Sequence, residues 1–214
     1  MTRFHPARSI LVFPIVALLA ASAALAQDAG LYEDIANPDA SFVRVVDTGS
    51  ALIMVKATSF QDLKAGVTPY VVIDGDSEVQ IVAGDTTATE AVKPATFYSY
   101  VVGADGKGVL VTDAITRSPA QADVTFYNLS DVASVDLYAP LAKAVAIGAV
   151  AMGSGGSVAL KAPLTLDFDV RDGDTVLASV PAVALVRREG VAIVFSGSAG
   201  AYTATFTPNE LART

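Results

Sequence analysis

Ser41-Phe42-Val43-Arg44-Val45-Val46-Asp47, followed by Ala51 to Ala57, returns further along the chain as Ala122-Asp123-Val124-Thr125-Phe126-Tyr127-Asn128, followed by Ser134 to Ala139. Both stretches have strand length and strand residues, Val, Phe, Thr and Tyr, and each stops at an Asp or Asn that suits a turn. The likeness continues. Val79 to Thr86 parallels Phe168 to Thr175, and Phe97 to Val102 parallels Val191 to Gly197. The spacing between copies is 81 residues for the first pair and 89 for the second. The difference falls around Met152-Gly153-Ser154-Gly155-Gly156-Ser157, which reads as a longer, flexible hairpin loop in the second copy.

Period-2 segments recur through the rest of the chain, separated by turn residues such as Asp74-Gly75-Asp76, Gly84-Asp85 and Ala104-Asp105-Gly106. No segment carries a helical stripe. The prediction is an all-β protein of two tandem small antiparallel β-sandwich domains arising from a duplication, each with about seven short strands. Residues 41–117 form the first sandwich, 118–121 the Pro-containing linker and 122–214 the second. Residues 27–40 read as an irregular lead.

Residues 1–26 read as a cleaved secretory signal. Arg3 and Arg8 charge its start, Ile10 to Leu25 is apolar, and Ala24-Leu25-Ala26 supplies the small residues of a cleavage site. The apolar run is shorter than a spanning helix needs and is broken by Pro14 and Ser22. The expected compartment is the periplasm.

The chain of 214 residues has no Cys, no Trp and one histidine, His5, which leaves with the signal. Without His or Cys, a Ser-His-Asp triad, a thiolate nucleophile and the usual zinc or iron ligands are excluded. The remaining 22 acidic and 12 basic residues make a surface that disfavours nucleic acid and other polyanions. An apolar fraction of 52% excludes intrinsic disorder.

Few residue sets are left to carry chemistry. Asp74, Asp76 and Glu78 alternate along a turn and strand, and fit either a Ca²⁺ or glycosidase-like carboxylate set or plain turn chemistry. Turn chemistry is the simpler reading, because the EF-hand spacing and its closing Glu are missing. The Gly-Ser run lacks both the end of a P-loop and a nucleophile elbow. Asn128-Leu129-Ser130 matches a glycosylation sequon, Arg187-Arg188 makes a polar turn or a carboxylate grip, and Tyr98 with Tyr100 makes a core face or a sugar platform. No catalytic residue, metal or cofactor is assigned. Leu31, Tyr32 and Ile35 in the lead are the candidate partner-contact residues, docking on the first sandwich or on another protein.

The order of three further features resembles one family. Gly30-Leu31-Tyr32 leads to Ser41-Phe42-Val43-Arg44-Val45, then to Phe97-Tyr98-Ser99-Tyr100-Val101-Val102, then to Tyr127-Asn128-Leu129-Ser130. This is similar to the AlgF alginate O-acetylation accessory proteins, over Gly30 to about Phe206. Asp47 departs from the family's Asn and still serves the turn. The resemblance implies a periplasmic, non-enzymatic adaptor needed for alginate O-acetylation, with periplasmic and membrane-associated alginate O-acetyltransferase proteins as partners. The alternative is a polysaccharide-binding β-sandwich module of an exopolysaccharide pathway.

Overall fold

The computed structural model describes residue 1 and residues 37–213. Residues 2–26 of the stretch read as a signal, and the lead residues Leu31, Tyr32 and Ile35, lie outside the described residues. The first half contains Ser41–Val46 (β1), Ile53–Val55 (β2), Thr58–Phe60 (β3), Val71–Ile73 (β4), Ser77–Ala83 (β5), Thr86–Val92 (β6), Phe97–Val102 (β7) and Gly108–Asp113 (β8). The second contains Gln121–Ser130 (β9), Ser134–Ala139 (β10), Ala144–Ala151 (β11), Ser154–Lys161 (β12), Leu164–Asp172 (β13), Thr175–Leu185 (β14), Gly190–Ser198 (β15) and Ala201–Pro208 (β16). A single 3-10 turn, Lys64–Gly66, is the one helical element among the described residues.

The strands form four four-stranded sheets, β3-β2-β5-β6 and β4-β1-β7-β8 in the first half, β12-β9-β15-β16 and β11-β10-β13-β14 in the second. Each strand of the first half has its counterpart eight strands later, in the same place in the same order. The duplicated sequence is therefore a duplicated topology. The ladders are antiparallel except for one pair in each copy, β1 with β7 and β9 with β15, which run parallel.

Alternation along the strands builds four layers. Val43 and Val45 of β1, with Tyr98 and Tyr100 of β7, pack on Ile53, Val79 and Ile81 of the opposing sheet to make the first core. Val124 and Phe126 of β9 pack on Leu137, Phe168 and Val183 to make the second. The other faces of β1 and β9 are turned toward each other, and Val46, Val101, Tyr127, Leu129 and Val194 form a third apolar cluster between the halves. Strands buried on both faces need no polar alternation, hence the near-continuous apolar runs at Phe42 and Val124.

The Gly-Ser run is not a hairpin loop. Only Met152 and Gly153 turn, and Gly155, Gly156 and Ser157 lie in β12, paired with Tyr127, Phe126 and Thr125. A Cβ on Gly155 would overlap the Tyr127 ring, and one on Gly156 would overlap Ile147. Gly155 makes room for the ring of its paired neighbour on β9, and Gly156 for close approach of the opposing sheet. Gly155→Ala is therefore expected to lower stability by about 1–3 kcal/mol through overpacking. An unchanged urea midpoint would restore the loop reading.

Candidate functional site: a polar cluster between the sandwiches

Arg44 occupies the seam face of β1 between Phe42 and Val46, and is 1% exposed. A guanidinium removed from water must have its donors satisfied and its charge balanced. Its Nε donates to Ser99 Oγ at 2.8 Å and its Nη1 to Asn209 Oδ1 at 2.7 Å. Its Nη2 donates to Thr125 Oγ1 at 2.9 Å and Tyr127 OH at 2.6 Å. The Tyr70 ring lies 4.3 Å from the guanidinium carbon, a cation–π distance.

The counter-charge is Asp113, also buried, whose Oδ2 is 3.7 Å from Nη2. The two ions are joined through hydroxyls. Ser99 Oγ and Tyr127 OH each accept from Arg44 and donate to Asp113, at 2.6 and 2.7 Å, and Tyr70 OH donates to Asp113 at 2.7 Å. Arg44, Tyr70, Ser99 and Asp113 come from the first half, and Thr125, Tyr127 and Asn209 from the second. The cluster therefore belongs to neither sandwich alone.

Its geometry follows the repeat. Arg44 and Thr125 are 81 residues apart, the spacing of the duplicated first strands, and they bond to each other. The ladder registers make Asp113 and Asn209 counterparts as well, since Asp113 pairs with Phe97 and Asn209 N–H donates to Gly190 O at the matching place. The two copies thus pack through the same face about an approximate twofold, as in an isologous dimer. A faithful repeat would set two guanidiniums and two carboxylates at this axis. Thr125 and Asn209 in the second copy leave one of each.

Charge and burial act together on the titrating groups. Burial alone would pull the Arg44 pKa down, but the neighbouring Tyr127, Tyr70 and Asp113 oxygens outweigh it and hold the group above its ordinary value. Burial raises the phenols of Tyr70 and Tyr127 above 10.0, opposed by Arg44 and reinforced by Asp113. The folded state binds these protons more tightly than the unfolded chain does. Their contribution is complete below about pH 10 and is lost as pH rises toward their folded pKa values. Stability should then fall above pH 10 by up to about 1.4 kcal/mol per pH unit per phenol. Urea unfolding across that range checks this, and Tyr127→Phe should flatten the slope; an equal slope in wild type and variant would refute it.

The side chains singled out from sequence have other places. Tyr98 and Tyr100 are buried in the first core, so they make a core face and no platform. Asn128 is buried, donating to the Val132 and Val150 carbonyls and accepting from Ser130, so it serves the β9–β10 corner. Arg187 donates to the Ala162 carbonyl. Asp74, Asp76 and Glu78 are exposed, with Asp76 at φ 57 in the turn. Among the described residues no group of three or more His, Cys, Asp or Glu side chains is arranged to hold a metal ion, and no helix is long and apolar enough to cross a membrane.

With Ser, Tyr, Asp and Arg in one network, the seam has the ingredients of a reactive site, yet Ser99 Oγ is enclosed between two sheets. The hydrogen bonds of the network join the sheets of the two halves. A family model described as alginate O-acetyl transferase AlgF matches residues 15–192 of the chain. The chain belongs to the AlgF family. Among solved structures, one described as the C-terminal domain of AlgF from P. aeruginosa is 23% identical, covering 42% of this chain and 99% of that one at a TM-score of 0.38. No curated protein matches the chain. The AlgF model ends before Asn209, so one member of the polar cluster lies beyond the matched residues.

Sequence reasoning passed over Arg44 as a site, although it stands in the motif that carries the AlgF likeness. The available signal was one charge on the Phe42–Val46 face of a strand otherwise apolar. Asp113, Ser99 and Asn209 gave no comparable signal, because their partners are distant in sequence.

Proposed function

We propose that this AlgF-family chain is a periplasmic, non-enzymatic adaptor for alginate O-acetylation, holding acetyltransferase components of the biosynthetic complex together. One observation carries the reading: the residues best equipped for chemistry are enclosed in the cluster that fastens one sandwich to the other. A body of this kind presents two sandwiches at a fixed separation, and two partners bound to it would share a raised effective concentration. The division into 41–117 and 122–214 joined by 118–121 belongs to the same proposal. So does docking of the lead through Leu31, Tyr32 and Ile35.

The test is crosslinked capture of the tagged chain from periplasm and membranes of its own host, read by mass spectrometry. Recovery of membrane and periplasmic acetyltransferases is the expected result. Recovery of polymer without acetylation proteins would overturn it in favour of a polysaccharide-binding module. Removing residues 27–38 in the same assay should lower capture if the lead contacts a partner, and leave it unchanged if the lead serves only the chain's own fold.

A further inference from the structure

Along one flank of the seam, three grooves of about 310, 360 and 250 Å³ follow one another. The first two share Asp47, Thr48 and Ser50, and the last two share Asp62 and Leu63, so together they make one trough. Its walls come from both sandwiches. Thr203 and Thr205 of β16 line the middle groove, and Thr207, Pro208 and Glu210 line the next, so these two grooves follow the edge strand β16.

The charge along this track is predominantly negative. Asp85, Asp62 and Glu210 stand exposed at its three stations, and none is in an ion pair among the described residues. Lys64 is the one cation on the walls. Asp47 is engaged with its own turn, accepting from Gly49 N–H at 2.7 Å. Between the carboxylates lie the hydroxyls of Thr48, Ser50, Ser196, Thr203 and Thr205.

We propose that this trough is the docking site for an extended, basic segment of a partner protein. The inference rests on the adaptor reading and gives it an interface. The shape fits an extended chain, whose side chains on one face recur about every 6.6 Å. The sign of charge selects a cationic occupant and rejects a uronate polymer. It also rejects the chain's own lead, since residues 27–36 carry Asp28, Glu33 and Asp34 with no basic residue.

The probe is a fluorescent decapeptide of alternating lysine and alanine, titrated into the full chain at low and at physiological salt. Asp62→Asn, Asp85→Asn and Glu210→Gln together should weaken it about tenfold or more, from three exposed charge pairs. A control with equal charge removed, Asp74→Asn, Asp76→Asn and Glu78→Gln, sits at the opposite end of the β5–β6 ladder from Asp85 and should change affinity less than about twofold. Equal losses in the two triple variants, or no peptide binding, would overturn the trough. So would direct binding of a labelled oligouronate that the trough variant abolishes, or unchanged capture of acetylation proteins by that variant. The adaptor reading is decided separately, by what the wild-type chain captures.

Discussion

Arg44→Met should lower the stability of the folded chain by about 3–5 kcal/mol, the usual consequence of leaving a buried charge without its partner. Methionine fills much the same volume, so the loss would come from electrostatics. Asp113 would keep three hydroxyl donors but no cation, in a layer sealed between two sheets. Ser99, Thr125, Tyr127 and Asn209 would each lose a donor at once. Because the two sandwiches share the cluster, urea unfolding of the variant should separate into two transitions where the wild type shows more coupling. Combining Arg44→Met with Asp113→Leu should cost less than the two single changes added, because the stranded charge is gone. A single-variant loss below about 0.5 kcal/mol would mean that the cluster does not fasten the seam.

The second large effect is expected from ending the chain at Pro208. Residues beyond β16 leave the second sandwich and cross to the first: Tyr70 N–H donates to Glu210 O at 2.8 Å, and Ala212 N–H donates to Tyr70 O at 2.8 Å. Leu211 packs beside Phe42, Tyr70 and Phe97, and Asn209 holds Nη1 of Arg44. Removing these bonds and the Leu211 contact should cost about 3–5 kcal/mol. Leu211→Ala alone, which keeps the backbone bonds, should cost about 1–2 kcal/mol. Equal stability of the truncated and intact chains would show that this strap is incidental.

How much of this was legible beforehand differs by scale. Strand after strand could be read where side chains alternate, and Phe97–Val102 falls where the sequence places it. Three strands escaped, the shortest being Thr58–Phe60, which directly follows β2 after a tight turn. Thr86–Val92 is a Thr-rich edge whose outer face meets water, so it lacks an apolar rhythm, and Ser154–Lys161 was disguised by glycines needed for layer contact and not for a turn. The sequence suggests separate strands at Thr175 to Val180 and Val183 to Arg187, but Thr175–Leu185 is one edge strand with a bulge, where Ala182 N–H donates to Asp167. Each copy therefore has eight strands where about seven were expected.

The seam was invisible for a different reason. Sequence periodicity reports whether a face is dry, but not what covers it. Val43 and Val45 look toward the first core while Phe42 and Val46 look toward the other sandwich, and both sets read simply as apolar. The duplication was detectable from residue spacing. That the copies meet through their equivalent first strands, with Arg44 against Thr125, needed three dimensions.

The strap also dictates an order of events. A chain that emerges amino end first can complete the first sandwich while Arg44, Ser99 and Asp113 still face water. Asn209 and Leu211 arrive only after the last strand of the second sandwich. The arginine and aspartate are fully enclosed only when the second sandwich covers them and the following residues lie behind Tyr70. The last residues of the chain thus complete both the polar cluster and the apolar contact at Phe42, Tyr70 and Phe97.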